Sequence, residues 1–232
     1  DLPKEYVKDH NIRLLPLYYS FDGKVYGDKE DLEPKEFYDV MRGGKMPTTM
    51  AVNPDKAREV FTGLVNEGYY ILHIAFSSAL SGSCSVAATV ARDICEEIPG
   101  AKITVIDSLC ASMGEGLLIH KAVMMKEAGK SMDEIINWLE NNKLNLCHIF
   151  TVDDLHHLQR GGRISKTSAI IGTLVHVKPV LHVNDEGRLV PLHNVRGRKK
   201  ALVSLVDQME KRFPGYEDQN DIIFISHGDC LE

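Results

Sequence analysis

Several patterns that would assign a chain to a common class of site or to a membrane protein are missing from this sequence. Its five cysteines stand singly at positions 84, 95, 110, 147 and 230, without a Cys-x-x-Cys pair. That spacing indicates neither a zinc site nor a disulfide framework, so we interpret each cysteine as a small buried hydrophobic residue. No apolar run reaches the roughly 18 residues of a membrane span, so we expect no stable membrane insertion.

The chain also has no excess of positive charge. Its 232 residues include 33 acidic side chains and 27 lysines and arginines, which gives a formal net charge of −6 and a pI near 5.9. We therefore expect no broad nucleic-acid surface and no nucleic-acid partner. A hydrophobic content of 44% with 26% charged residues is typical of a soluble globular protein, which we place in the cytoplasm.

Common signatures of catalysis and of nucleotide or metal binding are absent as well. Without a GxGxxG or GxxxxGK(S/T) loop, a nucleotide is the weaker candidate ligand. The adjacent His156 and His157 would diverge on a helix and no H-E-x-x-H occurs, so we expect no metal site. No G-x-S-x-G is present, although Ser81 and His227 could pair as nucleophile and base without a sequence motif.

The first elements can be located from turn and helix-start residues. Residues 12–21 favour β structure and end in the turn pair Asp22-Gly23, which predicts a strand leading into a hairpin. Residues 45–53 are predicted to form a loop. Asn53 and Pro54 are typical of a helix start. The hydroxyls of Thr48 and Thr49 therefore lie just before a helix.

Strand and helix patterns then alternate. An apolar run at 70–75 leads into the serine-rich loop 76–83, and an amphipathic helix follows to about residue 98. A further β run at 102–106 precedes a long helix over about 113–128. This alternation predicts right-handed βαβ crossovers and a parallel sheet.

The pattern changes at about residue 144. A glycine turn carries Arg160 and Arg163, and a helix over 198–212 is predicted to bury Leu202, Leu205, Val206 and Met209 on one face. The other predicted elements are a strand at 146–152, a helix at about 167–174, a hairpin of 176–183 and 189–195, and a last strand at 221–226.

We therefore predict an α/β protein with two domains. Residues 1–144 form an N-terminal α/β domain with a parallel sheet, and residues 145–232 form a C-terminal α+β domain with a mixed sheet. The chain starts abruptly at Asp1-Leu2-Pro3 and stops soon after a strand. From this we expect that the first strand of the N-terminal domain is missing and that the C-terminal domain is truncated.

Hydroxyl groups gather at the predicted helix entrances. Thr49 precedes one helix, and Ser81 and Ser83 precede the next. In open α/β sheets ligands bind at the carboxyl ends of strands, where hydroxyls and unpaired helix N–H groups point outward. With the glycine-flanked Arg163 these groups could converge on one anion, either a carboxylate or a phosphate. The alternative is that no ligand binds there: one serine of the loop caps the following helix, and the other serines face solvent.

Two further features stand near the end of the chain. His227 follows a strand and precedes a glycine, a place where side chains reach a site, although a surface histidine is an equal alternative. Four basic residues fall within positions 195–200 of an otherwise acidic chain. Such a run is usually a solvated face, but it could also dock an acidic partner or bind phosphate.

Ordered motifs along the chain resemble those of a known family, the DegV family of bacterial fatty-acid-binding proteins. The resemblance covers nearly the whole chain, and several motifs in one order are more specific than any single one. They are Pro47-Thr48-Thr49, Ser77-Ser78 through Leu80-Ser81-Gly82-Ser83, Asp153-Asp154-Leu155 with Gly161-Gly162-Arg163-Ile164-Ser165, Lys178-Pro179-Val180-Leu181 and Arg198-Lys199-Lys200-Ala201.

The resemblance implies two α/β domains with a fatty acid held between them, its tail in a buried tunnel and its carboxylate on Thr49 and Ser81. Arg163 and His227 would take supporting positions. Relatives usually have Ser-Gln-Pro where this chain has Met50-Ala51-Val52, and threonine in place of Ser83. Met50 is expected to alter the shape of the pocket, and Asp1 to be the remnant of an aspartate-serine turn after a missing first strand.

The resemblance further implies that the bound lipid is presented to a separate kinase, which converts the carboxylate to an acyl phosphate. Our first hypothesis is thus a non-catalytic carrier of one long-chain fatty acid, with no cofactor. The alternative is a small-molecule hydrolase or phosphotransferase that uses Ser81 and His227. A regulatory protein that acts through residues 196–200 without lipid is a third possibility.

Overall fold

The computed structural model describes residues 1–28, 30–165, 176–215 and 222–230. The predicted helix at 167–174 lies outside these residues. The helices are α1 (Lys4–Asp9), α2 (Pro34–Arg42), α3 (Pro54–Asn66), α4 (Ser83–Glu97), α5 (Met113–Glu127), α6 (Met132–Asn142), α7 (His156–Arg160) and α8 (Arg198–Arg212), with a 3-10 turn at Lys143–Asn145. The strands are β1 (Tyr18–Phe21), β2 (Lys24–Tyr26), β3 (Thr48–Met50), β4 (Ile71–Ala75), β5 (Ile103–Asp107), β6 (Ile149–Thr151), β7 (Val177–Val183) and β8 (Leu189–Arg196).

A parallel pair of strands with helices packed around it confirms the predicted α/β class. β4 and β5 pair in parallel from Ile71 opposite Ile103 to Ala75 opposite Asp107, joined by α4 as the crossover helix. Two apolar clusters pack around the pair. One includes residues of α3 and α4, such as Phe61 and Ile94, and the other gathers residues of α5 and α6. Apolar helix faces therefore bury this pair, as parallel sheets require.

The hairpin predicted at Asp22-Gly23 is confirmed, but the strand before it is shorter than predicted. β1 covers Tyr18–Phe21 and pairs antiparallel with β2 across a turn in which Asp22 and Gly23 both have positive φ. The segment predicted as a loop contains a strand, β3, which pairs with the other edge of β1 so that Thr49 lies opposite Tyr19. Its exposed polar composition gave no strand signal, because the pairing partner is distant in sequence.

The C-terminal sheet differs from the predicted mixed sheet. Its described strands run in the order β6-β7-β8, and both pairings are antiparallel. The predicted hairpin of β7 and β8 is confirmed, with a register shift at Val180 and Leu181. Residues 222–226, predicted as most of a last strand, join none of the described ladders. A β-favouring composition therefore did not suffice for strand pairing here.

The buried face of α8 was predicted incorrectly. Ala201 and Ser204 face the sheet, and the Ser204 hydroxyl is 2.7 Å from His193 Nε2 on β8. Small side chains at these positions allow close packing, which turns the larger apolar residues outward. Leu202, Val206 and Met209 are accordingly 39%, 50% and 36% exposed, whereas Leu205, the fourth residue predicted to be buried, is half-buried.

The cysteines divide between core and surface. Cys84 and Cys110 are buried as predicted, and Cys95 is half-buried. Cys147 and Cys230 are exposed, so burial was the wrong expectation for these two. Within the described parts of the chain, no helix combines the length and apolar character needed to cross a membrane.

Candidate functional site

The loops that follow β4 and β5 meet at one edge of the parallel pair. Ser77 donates its backbone N–H to the carbonyl of Cys110 at 2.9 Å, and Ser108 donates to the carbonyl of Ala75 at 3.1 Å. The Asp107 carboxylate accepts from the backbone N–H of Ser78 at 3.1 Å. The serine loop, residues 76–82, is therefore fixed at the carboxyl end of the strands, where α/β proteins hold ligands.

The serine loop is also fixed by the C-terminal hairpin. Ser77 is fully buried, and its hydroxyl donates to the carbonyl of Gly187 at 2.9 Å. Gly187 has a φ of 73°, and a Cβ at this position would overlap the Ser77 hydroxyl and lie 3.1 Å from Leu109 Cα. Only glycine therefore fits this turn in its present position. Neither the burial of Ser77 nor its contact with the hairpin was predicted from the sequence.

Ser81 and Ser83 form a short hydrogen-bonded chain at the start of α4. Their hydroxyls are 2.9 Å apart, and Ser83 donates its backbone N–H to Ser81 Oγ at 3.2 Å. Ser83 is buried and accepts from the backbone N–H of Val52 at 3.1 Å, whereas Ser81 is half-buried. The Ser83 hydroxyl can accept from Val52 and donate its own proton to Ser81 Oγ. In that arrangement the proton of the Ser81 hydroxyl is available to an anion.

Thr49 reaches this region through β3. It is exposed on that strand, and the residues after it lead directly to the serines. Val52 bonds to Ser83, and a Cβ on Gly82 would lie 3.9 Å from Ala51 Cβ. The structure thus places the segment after β3 beside the entrance of α4, with Thr49 three residues before Val52, which makes the contact.

Arg163 contacts the serine loop from the other half of the chain. Its Nε donates to the carbonyl of Leu80 at 3.0 Å, and its Nη1 donates to the carbonyl of Gly161. Leu155, just before α7, and Ile164, just after Arg163, are buried in one apolar cluster. Their burial holds the glycine turn between them in place. The structure therefore joins the predicted arginine to Leu80, the residue that precedes Ser81 in the serine loop, and a positive charge there favours an anion.

His227 follows a serine that contacts the loop after β5, and no described contact joins its imidazole to Ser81. The neighbouring Ser226 hydroxyl is 2.9 Å from that of Ser112, in the loop after β5. The imidazole is exposed, and its Nδ1 accepts from the backbone N–H of Cys230 at 3.3 Å. The described contacts thus join Ser81 to Ser83 and Arg163 to the preceding Leu80, and Thr49 lies on β3, which leads to the Val52–Ser83 contact. They do not join His227 to this group.

The thiol at this edge is not poised as a nucleophile. Burial raises the pKa of Cys110 to about 12, so the thiol stays protonated at neutral pH. Among the described residues the side-chain partner of the Ser81 hydroxyl is the hydroxyl of Ser83. No group of three histidine, cysteine or acidic side chains in the described chain could hold a metal ion. The described groups therefore fit anion binding better than covalent chemistry.

A cationic cluster lies on the C-terminal sheet. Lys178 Nζ and Arg198 Nη1 lie 2.9 and 3.3 Å from Asp153 Oδ1, and the Lys178 hydrogen bond is the largest cause of the lowered pKa of Asp153. Lys199 and Lys200 are exposed beside this cluster. A groove of about 680 Å³ follows α8 and is lined in part by Lys199 and Lys200, but by none of the predicted ligand-binding residues.

Comparison with known proteins assigns the family. A family model described as an uncharacterised protein of the DegV family matches residues 1–232. The chain belongs to the DegV family. A DegV domain-containing protein of Clostridium perfringens is 47% identical over 100% of this DegV chain and 80% of its own length.

Solved structures of the family share this fold. A stearic-acid-binding protein from Eubacterium ventriosum superposes on 95% of this DegV chain and 76% of its own, with a TM-score of 0.88 and 30% identity. A DegV family protein from Thermus thermophilus, studied for fatty acid binding, covers 93% and 75% of the two chains, with a TM-score of 0.82 and 32% identity. The predicted family and fold class are thereby confirmed.

Proposed function

We propose that this chain binds one long-chain fatty acid without changing it chemically. The carboxylate lies at the serine loop, and the tail occupies a buried tunnel between an N-terminal domain, residues 1–144, and a C-terminal domain, residues 145–232. Support comes from the whole-chain similarity to DegV proteins that are known as fatty-acid binders. Each methylene buried in the tunnel contributes about 0.8 kcal/mol, so the tail supplies affinity and the polar groups orient the head.

The observation that carries this proposal is the hydrogen-bonded chain from Val52 through Ser83 to Ser81. With the Ser83 proton directed at Ser81, the Ser81 hydroxyl is a free donor one residue after Leu80, whose carbonyl holds the cationic Arg163. A hydroxyl donor and a positive charge on the same loop suit a carboxylate. Thr49, on the adjoining strand, supplies a second hydroxyl. Ser83 then acts as the residue that orients Ser81, and the ligand contacts fall on Thr49, Ser81, Arg163 and His227.

A double-mutant cycle tests the head-group site. Thr49→Ala and Ser81→Ala should each weaken fatty-acid binding by about 5- to 150-fold, since a buried acceptor loses one donor worth about 1–3 kcal/mol. Because the two hydroxyls share one carboxylate, their effects should be non-additive. Ser85→Ala, which removes an exposed hydroxyl from the first turn of α4, just after Ser81, is the matched control.

The control ligand is the fatty alcohol of equal chain length, which has no negative charge. Its affinity should fall less than that of the acid in both variants. Equal losses for acid and alcohol would mean that Thr49 and Ser81 shape the site without recognising the carboxylate. Turnover of acyl esters that is lost in Ser81→Ala and His227→Ala would instead favour the hydrolase alternative.

We further propose that the loaded protein presents its carboxylate to a separate fatty acid kinase in the cytoplasm. The first turn of α8 carries Arg198, Lys199 and Lys200 and no acidic residue. Cations are unfavourable at a helix N-terminus, so the helix gains no stability from them. An exposed run of this kind suits an acidic partner surface. Arg198 is already paired with Asp153.

Charge reversal of the two exposed lysines tests the partner surface. Lys199→Glu with Lys200→Glu should leave fatty-acid affinity nearly unchanged and slow transfer to a fatty acid kinase in a salt-dependent manner. Lys211→Glu, in the last turn of the same helix, is the matched control. Transfer that is equally fast in the double variant and the parent at low salt would rule out this surface.

A further inference from the structure

The turn formed by residues 227–230 is held by contacts with α2. Arg42, in the last turn of that helix, contacts Asp229 twice, since Nη2 lies 2.7 Å from Oδ2 and donates to the backbone carbonyl at 3.1 Å. Gly228 packs against Tyr38, whose hydroxyl would lie 3.0 Å from a Cβ at that position. The Ser226 hydroxyl meets that of Ser112 at 2.9 Å. The turn is therefore anchored at each of these positions.

The arginine is itself fixed on its helix. Its Nη1 donates to Asp39 Oδ1 at 2.9 Å, so one guanidinium joins the helix to both the side chain and the backbone of Asp229. As an exposed ion pair this contact adds little stability, but its two-point geometry defines the backbone direction. Asp229 has a φ of 54°, a conformation that residues other than glycine seldom adopt and that local contacts must maintain.

This turn determines which nitrogen of His227 carries the proton. The backbone N–H of Cys230 donates to His227 Nδ1 at 3.3 Å, so Nδ1 acts as an acceptor. A neutral imidazole whose Nδ1 accepts must carry its hydrogen on Nε2. The exposed side chain then presents an N–H donor, which is the group needed to bind a carboxylate.

We propose that Arg42 is a positioning residue for the head-group site: through Asp229 it holds the turn in which His227 presents its Nε2–H to the ligand. The inference rests on the proposed function, because it names the fatty-acid carboxylate as the acceptor. Arg42 itself need not contact the lipid. No local sequence pattern indicates this role, since Arg42 and Asp229 are 187 positions apart.

The first test reads the tautomer of His227 in the ligand-free protein by ¹⁵N NMR. The parent should show the proton on Nε2. Arg42→Gln and Asp229→Asn should give a mixture of tautomers, and Arg42→Lys, which keeps a cation near Asp229, should restore most of the parent signal. A parent with its proton on Nδ1, or an Arg42→Gln variant with an unchanged tautomer, would overturn the proposal.

The second test measures the affinity of the same variants for hexadecanoic acid and hexadecanol. Arg42→Gln should weaken binding of the acid by about 5-fold, the effect of one misplaced hydrogen bond, with a smaller effect on the alcohol. Arg58→Gln, which breaks the exposed Arg58–Glu97 pair, should change neither affinity. Unchanged acid affinity in Arg42→Gln would overturn the positioning role.

The two tests separate this inference from the proposed function. A parent that binds no fatty acid defeats the carrier hypothesis and the lipid part of the inference together, whereas the NMR result still decides whether Arg42 controls His227. A parent that binds the acid, with Arg42→Gln altering neither tautomer nor affinity, defeats only the inference.

Discussion

Replacing Gly187 by alanine tests whether the hairpin turn fixes the serine loop. The new Cβ would overlap Ser77 Oγ and lie 3.1 Å from Leu109 Cα, so the turn must move away. The hydrogen bond from Ser77 to the Gly187 carbonyl, worth about 0.5–1.5 kcal/mol, would be lost, and overpacking adds about 1–3 kcal/mol. The left-handed backbone costs about 1 kcal/mol more for alanine, so the total is about 3–5 kcal/mol.

Gly162→Ala is the matched control for this substitution. Gly162 has a φ of 75°, close to the 73° of Gly187, but no atom of the described residues other than its chain neighbours lies within 4 Å of its Cβ position. It should therefore show only the backbone cost of about 1 kcal/mol. Urea-induced unfolding of both variants measures the difference, and fatty-acid affinity should fall only in Gly187→Ala, because only that change displaces the serine loop.

A third variant identifies the clashing atom. In a Ser77→Ala background the overlapping oxygen is gone, so Gly187→Ala should cost about 1–2 kcal/mol less than in the parent, a non-additive effect of residues in contact. The reasoning would be refuted if Gly187→Ala destabilised the protein no more than Gly162→Ala.

Two further predictions concern the core. Gly114→Ala should lower stability by about 1–3 kcal/mol because its Cβ would overlap the His148 ring. Gly63→Ala, in an open helical position, should instead raise stability by about 0.5–1 kcal/mol. Urea unfolding that shows both changes to be stabilising would contradict the packing of Gly114 against His148. Burial lowers the pKa of His73 from 6.5 to about 4, so the unfolded chain takes up a proton more readily than the folded one and stability should fall as pH drops from 6.5 to 4. His73→Phe should make the free energy of unfolding depend less on pH between 6.5 and 4. An equal pH dependence in the variant and the parent would show that His73 is not its cause.

Local signals in the sequence were reliable where neighbouring residues decide the conformation. Asn53 was predicted to begin a helix, and its side chain accepts from the backbone N–H groups of Asp55 and Lys56 at 2.8 and 3.1 Å. Asp22 and Gly23 were predicted to turn, and both have positive φ. Helix capping and tight turns are satisfied within a few residues, so they can be recognised without the rest of the chain.

Predictions about distant partners were less successful. The pairing of β3 with β1 was missed, and α8 buries Ala201 and Ser204 where larger apolar residues were predicted. In both cases the outcome depends on which element arrives as a neighbour and how closely it packs. Hydrophobic periodicity indicates that a helix has apolar positions, but not which of them the facing sheet covers.

The sequence by itself determined the α/β alternation, the helix starts and the ordered motifs that mark the family, because each depends on residues close together in the chain. Only the tertiary structure showed that Ser77 bonds to Gly187, 110 positions away, and that Arg163 bonds to the carbonyl of Leu80, 83 positions away. It alone also placed Arg42 against Asp229. Such contacts follow from how the two halves of the chain pack, and no local pattern encodes the distance between them.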